Sequence, residues 1–355
     1  MQTRSSDLDS PSSRPRCGPR HRRAPVAFTR AVCQTGAGPS DSARAVSIDV
    51  VETRRIGSLE VSVVGLGCNN LGRRIDEERS REVVEAALDA GITLLDTADV
   101  YGDTLSEEYL GRILEGRRDR VVLATKFGSE IRGESAGAAP AYVRKAVEGS
   151  LRRLRTDRVD LYQLHEPDES TPIADTLEVL DELVREGKVR EIGCSNFTAE
   201  QLREAQAAVK PGAARFVSVQ NELNLLDRAD ERGGLPEAER LGLAYIPYFP
   251  LASGLLTGKY RRGEQVSPGT RLAGWPDERR NEVLTDATFA RIDRLTRFAE
   301  DRGHTLLELA FAWLLEKRCL ASVIAGATKP EQVQANVAAA AWRLGEDDLA
   351  GLKGW

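Results

Sequence analysis

The segment VDLYQLHEPDESTPIADTLEVLDELVREGKVREIGCSNF, residues 159–197, places one amphipathic stretch between two short apolar runs. Val159–Leu164 and Val189–Gly193 have the length and composition of buried strands. Between them, Ile173–Glu186 repeats apolar residues at helical spacing, and Pro172 stands at its start. This strand–helix–strand succession predicts a βα unit of a parallel sheet.

The same alternation extends from this segment in both directions along the chain. Further short strands are predicted at Val64–Cys68, Thr93–Leu95, Val121–Ala124, Phe216–Val219, Leu243–Ile246 and Ser322–Ala325. Further helices are predicted at Glu77–Ala90, Ser106–Leu114, Ala139–Leu154, Thr198–Val209, Leu235–Leu241, Leu306–Glu316 and Pro330–Ala341. Eight successive strand–helix units fit an α/β fold of the closed (β/α)8 TIM-barrel type better than an open sheet.

Two additions to the barrel are predicted. The stretch TRRIGSLEVSVVGLG, residues 53–67, contains two alternating apolar segments joined by Gly57-Ser58, which predicts an N-terminal β-hairpin. Between the seventh and eighth barrel strands, Gly254–Arg302 reads as a polar loop to about Glu278 followed by an extra helix near Thr288–Arg302. Loops of this length are usually functional, although a tolerated surface insertion is the alternative.

The N-terminal stretch differs from the rest of the chain. Residues 1–50 are rich in Arg, Ser, Pro and Gly and lack apolar periodicity, so we expect a disordered tail there and the barrel domain in residues 51–355. A start codon assigned too far upstream would explain the same composition. A transit peptide is the less favoured alternative, because acidic residues come early and no apolar segment follows.

The composition excludes several classes of protein. A formal net charge of −5 gives no general attraction to nucleic acid or to an anionic membrane. The five cysteines are an odd number without a CxxC motif, and there are three histidines, so neither a disulfide framework nor a metal site is expected. No run of 18 apolar residues occurs, and we expect a cytoplasmic protein that does not enter the membrane.

Ionisable side chains follow three consecutive predicted strands. Asp96 and Tyr101 follow the second barrel strand, Lys126 the third and His165 the fourth. Each of them alone has an ordinary structural explanation, such as a helix cap, a solvated lysine or a hydrogen-bonded core histidine. Function in a TIM barrel lies at the carboxyl ends of the strands, where these four side chains are expected to converge.

Over about Arg54 to Ala341 the chain resembles the aldo-keto reductase family. DTADVYG, residues 96–102, has the family's spacing of five residues between Asp and Tyr, and GKVREIGCSNF, residues 187–197, is a second family-like segment. The resemblance implies an NADPH-dependent reductase that acts on a small carbonyl compound with a tetrad of Asp96, Tyr101, Lys126 and His165.

The chemistry of carbonyl reduction is consistent with these four residues. The carbon needs a hydride, which a nicotinamide provides, and the oxygen needs a proton. Tyrosine has a reference pKa near 10, and a neighbouring ammonium lowers the pKa of a phenol. Lys126 would provide this ammonium, Asp96 would hold it charged, and Tyr101 would be the general acid. His165 would donate a hydrogen bond to the carbonyl oxygen.

The resemblance also implies the cofactor contacts. Ser195, Asn196 and Gln220 would hold the nicotinamide carboxamide, and Tyr248 would stack on its ring. The residues expected along the pyrophosphate are Leu251, Ala252, Gly254, Leu255, Lys259 and Arg271. The residues expected at the adenosine end are Gly326, Thr328, Lys329, Gln332 and Asn336, with Thr328 and Lys329 placed for a 2′-phosphate.

Alternatives remain open at this point. Gln332 and Ala335 stand where some family members carry Arg and an acidic residue, so NADH is not excluded as the cofactor. A nucleotide-binding regulatory module resembling potassium-channel β subunits is the second hypothesis for the function. An aldolase that uses Lys126 as a Schiff-base nucleophile is the third. The sequence leaves the oligomeric state and the physiological substrate open.

Overall fold

The computed structural model of the protein describes residues 51–131 and 137–354. The tail predicted for residues 1–50 lies outside the described residues. An antiparallel hairpin, β1 (Thr53–Ile56) and β2 (Leu59–Ser62), precedes the barrel as predicted. Its turn uses Gly57 at φ +56°, where a side chain would collide with Glu191, whose carboxylate accepts a hydrogen bond from the Ser58 N–H.

Eight further strands alternate with helices. The strands are β3 (Val64–Gly67), β4 (Leu94–Asp96), β5 (Val122–Phe127), β6 (Val159–Leu164), β7 (Val189–Ser195), β8 (Phe216–Glu222), β9 (Ala244–Tyr248) and β10 (Val323–Gly326). The helices are α1 (Glu77–Asp89), α2 (Leu105–Ile113), α3 (Pro140–Leu154), α4 (Ile173–Arg185), α5 (Ala199–Ala208), α6 (Gly234–Leu241), α7 (Asp277–Val283), α8 (Asp286–Glu300), α9 (Leu306–Leu315), α10 (Pro330–Ala339) and α11 (Glu346–Gly351).

The eight strands form one closed parallel barrel. Their order in the sheet is β10-β3-β4-β5-β6-β7-β8-β9, with every neighbouring pair parallel. Tyr245 of β9 closes the ring, since its N–H donates to the Cys319 carbonyl and its carbonyl accepts from the Ala321 N–H, just before β10. The predicted (β/α)8 TIM barrel is therefore confirmed.

Two apolar cores hold the barrel together. Inside the ring, Leu94, Leu161 and Ile246 pack with residues of the hairpin, including Ile56 and Leu59. A larger core lies between the strands and the surrounding helices. The hairpin therefore closes the amino-terminal end of the barrel, and the carboxyl ends of the strands are left for the site.

The predicted connection between the seventh and eighth barrel strands is present, but its details differ. The extra helix is α8, which begins two residues earlier than expected because Thr285 caps it through the Thr288 N–H. The polar loop expected to about Glu278 ends sooner, since Pro276 precedes the short helix α7. In the part of the chain that the structure describes, no helix has both the length and the apolar character to cross a membrane.

Candidate active site

A cavity of about 1230 Å³ opens at the carboxyl ends of the barrel strands. Most of the side chains predicted for the site line it, from Asp96 and Tyr101 at one end to Asn336 at the other. Three predicted residues do not: Lys126, Ala252 and Leu255. Lys126 is fully buried in the barrel wall and contacts Asp96 and Tyr101 from there. Ala252 and Leu255 lie within the connection after β9.

Register explains why the polar groups share one level of the barrel. Asp96, Lys126 and Tyr248 each come two residues after a member of the inner core, namely Leu94, Ala124 and Ile246. Residues two apart on a strand face the same side, so these side chains continue the inward-facing rows above the apolar core.

Asp96, Lys126 and Tyr101 form one hydrogen-bonded chain. The Lys126 ammonium donates to Asp96 Oδ2 at 2.7 Å and to the Thr97 carbonyl at 2.8 Å. It also lies 3.4 Å from the Tyr101 hydroxyl, so it joins the carboxylate to the phenol. The structure therefore brings these three side chains into contact.

The charges in this chain affect one another. Burial opposes a charge on Lys126, but Asp96 and Tyr101 together raise the pKa of the ammonium above its usual value. Burial raises the pKa of the Tyr101 phenol, and this outweighs the lowering by Lys126. The expectation that the ammonium lowers the Tyr101 pKa is therefore correct for that contribution, while the net direction is upward because the phenol is desolvated.

His165 stands beside Tyr101, with their ring centroids 5.8 Å apart in an edge arrangement. Its Nδ1 lies 3.1 Å from the Ser129 hydroxyl. Burial and then the Lys126 charge lower the pKa of this imidazole to about 3. His165 is therefore neutral at physiological pH and carries one N–H that can donate.

Ser195, Asn196 and Tyr248 form a second network next to the tetrad. Asn196, in the left-handed region at φ +62°, donates its amide to the His165 carbonyl at 2.9 Å. The Tyr248 hydroxyl donates to Asn196 Oδ1 at 2.8 Å, and the Ser195 hydroxyl donates to the Gln220 carbonyl at 2.7 Å. These side chains fix one another along the cavity wall, at the ends of β7, β8 and β9.

Gln220 makes a contact that the sequence did not suggest. Its amide nitrogen donates to Asp96 Oδ1 at 2.9 Å and lies 3.3 Å from Gln163 Oε1. Gln163 itself donates to Asp96 Oδ1 at 3.3 Å. The residue expected to hold a carboxamide is thus also tied to the tetrad carboxylate.

The connection after β9 begins with a strained turn. Ala252, Ser253 and Gly254 all have positive φ within a 3₁₀ segment, Ala252–Thr257. A Cβ at Gly254 would lie 2.5 Å from Lys259 Nζ, so the glycine lets the lysine lie across the turn. Leu251 and Gly254 line the cavity, and the turn carries Lys259 to its edge.

Four cationic side chains meet at this end of the cavity: Arg73, Arg74, Lys259 and Arg271. Burial, followed by the charges of Arg74 and Arg271, lowers the pKa of Lys259, and burial with Arg74 and Arg73 lowers that of Arg271. Among the described residues, none of the four forms an ion pair with a carboxylate. Four positive side chains that repel one another, with no carboxylate paired to any of them, indicate a site for an anion.

The two arginines after β3 were missed by the sequence analysis, although Arg73 and Arg74 directly follow its glycine-rich turn. Arg74 donates to the Gly269 carbonyl at 2.7 Å, which ties the end of β3 to the connection after β9. Two adjacent arginines just beyond the end of a barrel strand could have indicated that this end of the cavity is cationic.

The amino terminus of α10 forms the far end of the cavity. The residues that line it are Gly326, Thr328, Lys329, Gln332 and Asn336. Gln332 Oε1 accepts from the Thr328 N–H at 2.7 Å, and no side chain caps the helix at Lys329. An open helix amino terminus next to a lysine attracts phosphate. Within residues 51–131 and 137–354, no cluster of His, Cys, Asp and Glu could hold a metal ion.

Comparisons with known proteins agree on one family. The model of the aldo/keto reductase family matches residues 63–354. Aldo-keto reductase YhdN of Bacillus subtilis is 36% identical over 299 residues, which cover 82% of this chain and 88% of that protein. The uncharacterized oxidoreductase YqkF of the same organism is 35% identical and covers 84% of this chain and 95% of its own.

Solved structures agree with the sequence relatives. The glycerol dehydrogenase AKR11B4 from Gluconobacter oxydans superposes with a TM-score of 0.73 at 32% identity, covering 84% of this chain and 93% of that chain. The holo form of the aldo-keto reductase AKR11C1 from Bacillus halodurans has a TM-score of 0.71 at 30% identity, covering 85% and 95%.

Proposed function

The chain belongs to the aldo/keto reductase family of oxidoreductases, and we propose that it reduces the carbonyl group of a small aldehyde or ketone with NADPH. One observation carries the proposal: the Lys126 ammonium joins the Asp96 carboxylate to the Tyr101 hydroxyl at the wall of the cavity. A bound nicotinamide supplies the hydride to the carbonyl carbon.

Tyr101 is proposed as the proton donor. Its hydroxyl would give a proton to the carbonyl oxygen while the carbonyl carbon takes the hydride. This would leave an alcohol, a tyrosinate and an oxidised nicotinamide. The Lys126 ammonium, 3.4 Å away, stabilises that tyrosinate, and Asp96 holds the ammonium in place at 2.7 Å. The raised pKa of Tyr101 keeps the donor protonated before the reaction.

His165 is proposed to orient the substrate. A pKa lowered to about 3 makes its imidazole neutral, so it can donate a hydrogen bond without placing a second cation beside Lys126. The proximity of its ring to Tyr101 allows both residues to contact one carbonyl oxygen.

The residues present fit a dinucleotide. Asn69 Oδ1 lies buried at the cavity without a hydrogen-bond partner among the described residues, so an acceptor is left for a ligand. The cluster of Arg73, Arg74, Lys259 and Arg271 suits a pyrophosphate. Tyr248 offers a ring for stacking on the nicotinamide, and Asn196 and Ser195 stand beside it.

NADPH is preferred over NADH in this proposal. Thr328 and Lys329 lie at the open amino terminus of α10, where a 2′-phosphate would meet the helix dipole and an ammonium. Gln332 already accepts from Thr328, so its role is to shape the turn.

The test is turnover of reduced nicotinamide with a panel of carbonyl compounds. The panel includes hydroxylated aldehydes and ketones, and glycerol in the oxidative direction, because one structural relative is a glycerol dehydrogenase. We expect carbonyl-dependent oxidation of NADPH by the wild type. Tyr101→Phe should lower kcat by roughly 10²- to 10⁴-fold with cofactor binding retained, since it removes the proton transfer.

Tyr109→Phe is the matched control, because Tyr109 lies on α2, where the Arg112 guanidinium covers its ring, and does not line the cavity. Its kcat should equal that of the wild type. Full activity in Tyr101→Phe would remove Tyr101 from the mechanism. Cofactor binding without turnover of any carbonyl would favour the regulatory module instead, and borohydride trapping of a substrate on Lys126 would favour the aldolase.

A further inference from the structure

Gln163 occupies a position in the barrel that the mechanism above does not use. It lies on β6, two residues after the inner-core residue Leu161, and it is fully buried. Asp96, Gln163 and Gln220 come from β4, β6 and β8, which alternate around the barrel. Side chains from alternate strands meet in one layer of a TIM barrel. The three therefore form a polar layer directly above the apolar core.

Gly193 on the intervening strand β7 makes this layer possible. It pairs with Gln163 on one side and Ser218 on the other. A Cβ there would lie 2.4 Å from Ser218 Oγ and 3.3 Å from Gln163 Cγ. The missing side chain leaves room for Gln163 and Gln220 to approach each other across β7.

The hydrogen bonds give the two oxygens of Asp96 different partners. Lys126 occupies Oδ2 at 2.7 Å, while Gln220 at 2.9 Å and Gln163 at 3.3 Å donate to Oδ1. Gln163 Oε1 in turn faces the Gln220 amide nitrogen at 3.3 Å. That contact fixes the Gln220 side-chain amide with its nitrogen toward Asp96, which leaves Gln220 Oε1 as the acceptor for a ligand.

We infer that Gln163 is a positioning residue for this active site: it holds the Asp96 carboxylate against Lys126 and orients the amide of Gln220. The inference rests on the proposed carbonyl reduction for its kinetic consequence. Gln163 itself contacts neither substrate nor cofactor. Its effect on the reaction passes through Asp96 and Gln220. A residue that only filled space could be replaced by an isostere without changing either neighbour.

Loss of the amide donor has a predictable electrostatic effect. The Asp96 charge raises the pKa of Tyr101. When Asp96 loses one hydrogen-bond donor, less of its negative charge is compensated, so the pKa of Tyr101 should rise further. The titratable and charged groups around Tyr101 are Cys68 after β3, Asp96 on β4, Lys126 on β5, His165 after β6, Tyr248 on β9 and Arg271 in the connection after β9.

Gln163→Met is the first test, because it keeps the length and removes the donor. We expect the alkaline limb of the kcat profile to move upward by roughly 0.5 to 1 pH unit, as the loss of one buried hydrogen bond implies. Because the Gln220 amide is no longer fixed, the Kd for NADPH should rise about three- to tenfold.

Gln163→Glu is the second variant and is nearly isosteric. At low pH its new carboxyl is protonated and can still donate to Asp96, so kcat should stay near that of the wild type. As pH rises, two carboxyl groups in one buried layer compete for a proton, and activity should fall through an ionisation that the wild type lacks. Ser218→Ala is the matched control, since Ser218 is fully buried on β8 two residues before Gln220, and its hydroxyl has no hydrogen-bond partner among the described residues.

Two readouts separate this inference from the proposed function. The tyrosinate absorbance of Tyr101, taken as the difference from Tyr101→Phe, and the Kd for NADPH are both measured without turnover. An inactive wild type would end the proposed function, and these readouts would still decide on Gln163. The inference would be overturned if Gln163→Met and Gln163→Glu both gave the wild-type titration of the Tyr101 phenol and the wild-type Kd for NADPH.

Discussion

Asp99 lies three residues after Asp96, but its surroundings are different. It is 1% exposed, and no side chain among the described residues donates a hydrogen bond to either carboxylate oxygen. Burial, with a further contribution from the nearby Glu107 charge, raises the pKa of the Asp99 carboxyl to about 7, against an ordinary value of 3.8. Arg153, which pairs with Glu107, compensates only in part.

This carboxyl should make the stability of the protein depend on pH. Between its ordinary pKa of 3.8 and its folded pKa of about 7, the folded chain holds a proton that the unfolded chain has released. The free energy of unfolding therefore falls as pH rises through this window, by at most about 4 kcal/mol. Asp99→Asn should raise Tm above that of the wild type at pH 8 and show a smaller difference at pH 5 in thermal melts.

Asp89→Asn is the control, because Asp89 is exposed at the end of α1. Its Tm difference from the wild type should be the same at both pH values. A Tm difference for Asp99→Asn that does not grow with pH would mean that Asp99 is charged in the folded protein at neutral pH.

Many of the residues around the cavity could be predicted from the sequence. Asp96, Lys126 and His165 stand at predicted strand ends, and the barrel topology brings them together without further information. Gln163 could not be found in this way. It lies inside the apolar run Val159–Leu164, and its partners come from strands two places away, so only the barrel register shows them.

The amino terminus of α10 should select the cofactor. Lys329 is exposed at the cavity edge, and the helix has no side-chain cap there. Lys329→Ala should weaken NADPH binding by about 10- to 100-fold, the value of one charge-assisted hydrogen bond, and leave the Kd for NADH unchanged. Fluorescence titration with each cofactor measures both constants.

Lys353→Ala serves as the control, because Lys353 is exposed after α11 and does not line the cavity. Both Kd values should stay at the wild-type level in that variant. An equal loss of affinity for NADPH and NADH in Lys329→Ala would contradict the assignment of Lys329 to the 2′-phosphate and point to a general effect on the nucleotide end.

Element boundaries were predictable where local chemistry sets them. Asp76 accepts from the Arg79 N–H, and Thr198 with Gln201 forms a capping box, so α1 and α5 begin where their sequences indicate. The helices α7 and α11 were missed. Each is short and mostly polar and buries no residue, so neither shows the apolar period by which the other helices were predicted.

The barrel places the residues that stabilise it and the residues of the site at opposite ends of its axis. The hairpin buries Ile56, Leu59 and Val61 under the inner core at one end, and the cavity occupies the other. Arg54 extends this closure, since its guanidinium donates to the carbonyls of Leu320 and Leu315. Changes at the hairpin should therefore alter folding without altering the site.

Leu59→Ala tests this separation. Leu59 is 1% exposed, and its truncation should lower the free energy of unfolding by roughly 2 to 5 kcal/mol because it leaves a cavity in a closed core. Its KM and kcat, measured well below Tm, should equal those of the wild type. Arg55→Ala, on the exposed face of the same hairpin, should change neither stability nor kinetics.

A raised KM in Leu59→Ala would show that the inner core transmits strain from the hairpin to the tetrad. Leu94, Leu161 and Ile246 lie between the two ends, and each is followed two residues later by a side chain at the level of the site. Close packing resists such displacement, because the strands are fixed by hydrogen bonds around the whole ring. A destabilised variant with wild-type KM and kcat is therefore the expected result.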